Sequence, residues 1–467
     1  MGRSIIVDQG VEMYVDKLLK ENKWFVGVII GQLTAQRDYV VHIVRTPDPV
    51  EDEVSEENGD DDSGDAVKSF KKNPALERPG SLEQLDEKWV STHAKQVSRM
   101  LPGGLNVIGL FAIAPPVMLK NSQSKLRQML YSVYKHLNRN IVFVTPGEIT
   151  DRILLQLDTS TKKFTCVTID ASDLKSATRP AEWKYQSGES KWVRLSSQIN
   201  LDIPITVPVD SKAQSLLKQI QVGLVDFCGS VRRSIIAIEG SIRDPGEPLI
   251  VQAEKKGKGG KGGNTATDTK NSYDVTIFLP FLSSESSSDP TSTLSQSTIN
   301  IMGTTIVRAY VSAKASVSDA VEAIKMDVVR SLMARCELLC EEFNVTEGKQ
   351  GSEVYDPPVR LFCQLPRCGL EVCDYVFQDE KQEEVRERIK ELLDVEVEEL
   401  EETEKSAADD DTWSCPSSLS CMSSHQSLVA PLTTNKKAIA KAYLGAAIGG
   451  LVAITATWIS YLYMTDQ

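Results

Sequence analysis

Residues 442–464 run for 23 positions, Ala442 to Met464, without one charged side chain. At a rise of about 1.5 Å per residue, a helix of that length crosses the hydrocarbon core of a bilayer. Lys436, Lys437 and Lys441 precede the run; Tyr443 marks its near end, and Trp458, Tyr461 and Tyr463 its far end. Basic flanks stay on the cytosolic side, and aromatic rings gather at the two interfaces. Core helices seldom run so far without a charge. The sequence therefore predicts a single-pass, tail-anchored membrane protein whose bulk lies in the cytosol. Gly445 and Gly449 form a G-x-x-x-G pair inside the span, a face that lets membrane helices approach closely. Small residues are also simply common in membrane helices, so both readings stand.

The rest of the chain folds in water. Of 467 residues, 41% are hydrophobic and 25% charged, enough for a core and, by length, for about three units. The net charge of −13 and the 6% aromatic content argue against nucleic-acid binding, which needs a basic footprint or a stacking platform. Nine cysteines at irregular spacing read as reduced thiols rather than a disulfide framework. Cys363, Cys368 and Cys373 lack the paired C-x-x-C knuckles of a zinc ribbon. Palmitoylation of Cys415 and Cys421 is the alternative to plain thiols there. Only His42, His93, His136 and His425 are available for histidine chemistry. No secretory h-region precedes Asp8, and Ile6 breaks a myristoylation pattern at Gly2.

Periodicity predicts an α/β (α+β) chain. A helix over 8–21 precedes strands at 24–31 and 38–45, joined as a hairpin. Glu51 to Asp65 holds nine acids in fifteen residues, a disordered acidic insert within about 48–78. A helix over 82–100, a strand over 105–114, a helix over 126–137 and strands at 141–144, 153–158 and 164–169 complete a first domain, 1–170. A second α/β domain, 171–393, starts with a strand at 195–205, a helix at 213–224 and strands at 234–242 and 273–280. A strand at 299–313, a long helix over 317–343, strands at 359–365 and 370–377 and a helix at 382–393 follow. Flexible inserts are expected at about 254–271 and 283–298. Lys255–Gly263 mimics a phosphate loop, but no Ser or Thr follows its lysine at a helix start. From Asp394 to Lys441 the chain is acidic, then serine-rich: a disordered stalk with a typical reach of about 35 Å.

The stretch Val107-Ile108-Gly109-Leu110-Phe111-Ala112-Ile113-Ala114-Pro115 resembles the core strand of the MPN (JAMM) family of zinc-dependent deubiquitinases. The resemblance covers about residues 5–170 and implies that fold. It places the family's two zinc histidines on Ala112 and Ala114, its aspartate ligand on Lys125 and its catalytic glutamate on Trp24; Ser122 keeps the family's serine. Alanine has no donor atom and a lysine repels a cation, whereas a catalytic zinc needs three protein ligands and a polarised water. The resemblance thus implies a catalytically dead MPN-like domain with no cofactor. A working metal-dependent isopeptidase is the remote alternative.

Further segments resemble the odorant-response-abnormal protein four family over nearly the whole chain. They are Arg45-Thr46-Pro47, Val97 to Leu105 (VSRMLPGGL), Arg179 to Gly188 (RPAEWKYQSG), Asp319-Ala320-Val321, Arg335-Cys336-Glu337 and Cys373-Asp374-Tyr375. The resemblance implies a non-enzymatic endoplasmic-reticulum protein. It would bind the cysteine peptidase specific for the ubiquitin-fold modifier, anchor it at the membrane, and support trafficking of multi-spanning receptors. The alternative is a chaperone-like factor for G-protein-coupled receptors acting through its membrane span. Exchanging the span for an unrelated anchor discriminates the two. Arg179, Trp183 and Tyr185 have the composition of a partner-binding anchor, since Trp, Tyr and Arg dominate interface hot spots. Packing of the two rings into a groove of the fold is the structural alternative.

Overall fold

The structure is a computed structural model. It describes residues 3–48, 79–139, 149–186, 192–208, 215–250, 271–280, 295–345 and 355–404, apart from positions 22, 36, 367 and 403. The expected acidic insert, the 141–144 strand, the Lys/Gly stretch and everything beyond 404, with Gly445 and Gly449, lie outside the described residues. Among the described residues no helix is long and apolar enough to cross a membrane.

The first elements are β1 (Arg3–Val7), α1 (Gln9–Lys20), β2 (Phe25–Leu33), β3 (Arg37–Arg45), α2 (Glu87–Arg99) and β4 (Asn106–Ala114). Next come α3 (Pro116–Asn121), α4 (Gln123–Asn138), β5 (Asp151–Asp158), β6 (Phe164–Asp170) and β7 (Arg179–Tyr185). The strands close into a barrel in the order β1-β3-β2-β4-β5-β6-β7. β1 closes the ring by pairing in parallel with both β3 and β7. Alternation sorts the strand residues onto two faces. Ile5, Ile29, Ile43 and Phe111 pack with Val11, Tyr14, Val15 and Leu18 of α1. Val28, Ile30, Leu110 and Leu154 lie in a second cluster with Val90 and Val97 of α2 and Leu126 and Leu130 of α4. α1 starts where the Asp8 carboxylate accepts from the Gly10 N–H, a side-chain cap for an otherwise orphan donor. At Gly31 a Cβ would stand 1.9 Å from the Tyr39 carbonyl oxygen, so only glycine fits the irregular register of β2 against β3.

The chain then builds β8 (Trp192–Pro208), α5 (Leu216–Gly223), α6 (Val225–Arg233), β9 (Ile235–Ile238), β10 (Ser272–Phe278), β11 (Ser295–Ser312) and α7 (Val317–Val345). The sheet order is β11-β8-β10-β9, dominated by the long antiparallel β8–β11 ladder. Ile203, Ile205, Val307 and Val311 pack with Leu224, Ile324, Val328 and Leu332. Finally β12 (Val359–Gln364), β13 (Glu371–Val376), α8 (Gln382–Leu393) and β14 (Glu401–Glu402) form a small sheet, β13-β12-β14, with one helix. Leu361, Val372, Val385 and Ile389 join the same cluster as α2 and α4.

By contact the chain divides into two units. The first takes Met1–Pro47, Pro79–Cys340 and Pro357–Lys405; the second takes Asp48–Arg78, Glu341–Asp356 and Ser406–Gln467. In the second, Phe343 and Tyr355 meet edge to face, centroids 4.4 Å apart.

Three features differ from the sequence reading. The barrel takes in a strand beyond the expected first-domain boundary at 170: β7 pairs with β1 through Arg3↔Ala181 to Val7↔Tyr185, and described residues of both expected domains fall in one unit. β11 begins at Ser295, inside the expected second insert, because its polar residues alternate with Ile299 and Ile301 along β8. The folded body continues past Asp394, because Glu401 and Glu404 meet buried arginines.

Candidate functional site

The residues at the implied zinc positions sit where β2 meets β4. Phe25 pairs with Ile113 and Val26 with Ala112, which sets Trp24 across from Ala114. Ala112 and Ala114 are fully buried in the cluster under α2 and α4, and Trp24 packs against it. Ser122 is buried between α3 and α4. Lys125, on α4, donates to the Glu87 carboxylate of α2 at 2.9 Å. These residues do not fit a zinc ion. Two positions carry methyl groups, a third an ammonium that already neutralises the nearby acid, and the fourth an indole. An apolar cluster with an ion pair beside it occupies this position, on the strand faces that meet α2 and α4.

An open cleft of about 360 Å³ lies beside it, lined by Leu119, Lys120, Gln123, Gln156, Asp158 and Lys163 among others. Its amides satisfy each other: Gln123 donates to Gln156 at 2.7 Å and accepts from it at 3.1 Å. Asp158 is occupied by the turn that follows it, accepting from Ser160 N–H and the Thr161 hydroxyl. The seven described cysteines are all buried. Burial pushes the Cys166, Cys336 and Cys363 thiols up to about 12, which keeps them protonated and poor nucleophiles at neutral pH.

Arg179, Trp183 and Tyr185 lie on β7, the strand that closes the barrel. Arg179 is exposed and pairs with Asp151 at 3.1 Å. Trp183 and Tyr185 point to one side, meet edge to face at 6.3 Å, and pack half-buried against the cluster of α1 and the inner strand faces. Tyr185 also meets Phe164 of β6 edge to face at 6.1 Å. β6 and β7 are paired only at Val167↔Pro180 and Thr168↔Arg179, so the rings fill a seam that backbone bonding leaves open.

The largest concentration of polar chemistry lies elsewhere. Arg360 and Asp327 form a two-pronged ion pair, 2.8 and 2.9 Å, fully buried. Asp327 also accepts from the N–H groups of Gly103 and Arg308, at 2.8 and 2.9 Å. Arg308 reaches Glu371 at 2.9 Å and Glu401 at 3.0 Å, and Tyr310 donates to Glu371 at 2.6 Å. Arg335 holds Glu404 with two 2.7 Å bonds. Arg330 donates to the carbonyls of Leu101 and Leu105, bracing the turn in which Gly104 has φ +81°. Two histidines dock the end of α8 onto the barrel: His42 bonds the Leu393 carbonyl and His93 the Leu392 carbonyl, each at 3.0 Å. The Leu392 carbonyl only accepts, which makes His93 Nε2 the protonated nitrogen and leaves Nδ1 to accept from the Thr46 hydroxyl at 3.3 Å. Arg99 and Lys95 share Glu337, at 2.7 and 3.0 Å. The segments Arg45–Pro47, Val97–Leu105, Arg335–Glu337 and Cys373–Tyr375 all contribute to this junction. Its partners lie from 19 to 351 residues apart in sequence, and no local signal joined them. The arrangement fixes elements together, and each carboxylate named here accepts from at least one donor.

The family described as "Odorant response abnormal 4-like" matches residues 27–403. The chain is 34% identical to the human "Protein odr-4 homolog" over 486 residues, covering 100% of both chains. The mouse homolog is likewise 34% identical with full coverage. The Caenorhabditis elegans "Odorant response abnormal protein 4" is 25% identical over 68% of this chain and 65% of its own length. Among solved structures, "Crystal structure of UfSP from C.elegans" aligns with a TM-score of 0.39 and 9% identity. That alignment spans 85% of this chain and 57% of the other.

Proposed function

Since the chain belongs to the odorant response abnormal 4-like family, we propose that it is a non-enzymatic membrane adaptor acting in receptor trafficking. It binds the cysteine peptidase of the ubiquitin-fold modifier pathway and holds it at the endoplasmic reticulum. The observation that carries the non-enzymatic part is the chemistry at the implied zinc positions: buried Ala112 and Ala114, and Lys125 paired with Glu87. The partner and the compartment come from the sequence resemblance, and the uncharged run at 442–464 supports the membrane anchor. In this reading the folded body is cytosolic and the fold is that of a degenerate MPN domain with added sheets. Arg179, Trp183 and Tyr185 form a partner anchor, and Gly445 and Gly449 a helix-packing face. Tethering works by concentration: holding a soluble peptidase on a short flexible link gives an effective local concentration in the millimolar range.

The second reading is a receptor chaperone acting through its own span; the word "odorant" in the name of the C. elegans relative favours it. Replacing 442–464 by an unrelated anchor separates the two. The adaptor keeps the peptidase in its immunoprecipitates and keeps receptors moving to the surface. Loss of receptor transport with peptidase binding intact would favour the chaperone.

A further inference from the structure

β11 is an edge strand, and its outer edge is treated differently along its length. N–H groups of even-numbered residues face outward. On the inner half each has a partner: Ile306 N–H donates to Glu404 at 2.7 Å and Arg308 N–H to Asp327 at 2.9 Å. Tyr310 N–H donates to the Gly103 carbonyl at 2.8 Å and Ser312 N–H to Gln32 at 3.1 Å. On the outer half, Thr298, Asn300, Met302 and Thr304 have no such partner among the described residues. Open edges of this kind are templates for another strand, and proteins usually blunt them with proline or charge. The opposite edge of the same ladder is blunted that way, by Asp202, Pro204 and Pro208 on β8. Residues 297–306 of β11 contain no proline and no charge.

We propose that this open edge pairs with the same edge of a second copy of the chain, antiparallel about a two-fold axis at Ile301. Three observations select a second copy. First, antiparallel self-pairing centred on Ile301 sets every outward-facing residue opposite another: Thr298 against Thr304, Asn300 against Met302. That supplies about eight new backbone hydrogen bonds. Second, the same register sets Ile299 opposite Gly303, where a Cβ would meet nothing within 4 Å. The empty space over Gly303 in one copy accepts the Ile299 side chain of the other, and Met302, 45% exposed, gains a neighbour. Third, residues 297–306 are uncharged, so self-pairing sets no like charges against each other at the contact although each copy carries a net charge of −13. Glu404 on Ile306 ends the pairing, so the contact is limited to the outer half. The product is an isologous dimer with one sheet running through both copies.

The test is a register-specific crosslink in the full chain, purified in detergent, with Cys415→Ser and Cys421→Ser as background. Paired residues on the axis have Cα atoms about 4.5 Å apart, within disulfide range. Ile301→Cys is therefore expected to give a reducible dimer on mild oxidation, and Asp202→Cys on the blunted edge is not. Adding Asn300→Lys and Met302→Lys, both exposed, sets lysine against lysine and lowers the crosslinked fraction at least tenfold, while circular dichroism and melting stay unchanged. Absence of an Ile301→Cys crosslink in folded protein would overturn the proposal. So would a crosslink that survives the lysine pair.

Discussion

Asp327 of α7 receives the guanidinium of Arg360 of β12 through two hydrogen bonds, and neither side chain reaches solvent. The same carboxylate binds the Gly103 and Arg308 N–H groups, so it ties α7, β11, β12 and the turn before β4 together. A buried ion pair need not add net stability, but breaking it strands a charge. Asp327→Asn is expected to lower stability by about 3–5 kcal/mol in urea unfolding. Joint replacement of both residues by apolar ones of similar volume costs less than the single change. A single change within 0.5 kcal/mol of wild type would contradict this role.

A second prediction concerns pH. Burial lowers the pKa of His93 from 6.5 to about 4 and lowers that of His42 as well. A folded-state pKa below the unfolded value means that the unfolded chain binds more protons between the two. The stabilising preference for neutral rings is thus fully present above about pH 6.5 and is lost as pH falls toward 4. His93 alone is expected to account for about 3 kcal/mol across that window. Unfolding titrations at pH 7, 5.5 and 4.5 should show the decline. His93→Gln should flatten it, though with lower stability at pH 7.

Trp183 and Tyr185 yield a third test. Half-buried packing against the α1 cluster predicts that Trp183→Ala costs about 2 kcal/mol, below the 3–5 kcal/mol of a fully buried ring. Arg179→Ala, which removes an exposed ion pair, should cost less than 1 kcal/mol. The proposed partner anchor further predicts that Arg179→Ala weakens peptidase binding without changing the melting temperature. Unaltered binding by a stable Arg179→Ala protein would remove that residue from the interface.

Much of the fold is legible in the sequence wherever a single period governs a segment. Val11, Tyr14, Val15 and Leu18 mark α1, and Leu126, Met129, Leu130 and Val133 mark α4, because each stripe faces one cluster. β7 is not legible. Pro180 argues against a strand, and it is tolerated because it sits at the short β6–β7 seam. α3 hides in the six residues after β4. Beyond Asp394 the run of acids reads as solvated chain, yet Glu404 is buried against Arg335, some seventy positions earlier. The lack of zinc ligands at Ala112, Ala114 and Lys125 is plain from residue type alone. That Glu87 is what Lys125 meets needed the structure.

The apolar residues at the implied zinc positions make a fourth prediction. Purified protein should contain far less than one zinc per chain by elemental analysis. It should release no ubiquitin-fold modifier from conjugates in the absence of its partner. Stoichiometric zinc together with chelator-sensitive hydrolysis would refute the non-enzymatic reading.

The most direct test of tethering is the amount of ubiquitin-fold-modifier peptidase activity that sediments with endoplasmic-reticulum membranes. Cells with the full chain should retain most of that activity in the membrane pellet. Cells expressing residues 1–441 should shift it to the cytosol at unchanged total activity, and an unrelated anchor fused after residue 441 should restore it. Peptidase activity that sediments equally with and without 442–464 would contradict the account.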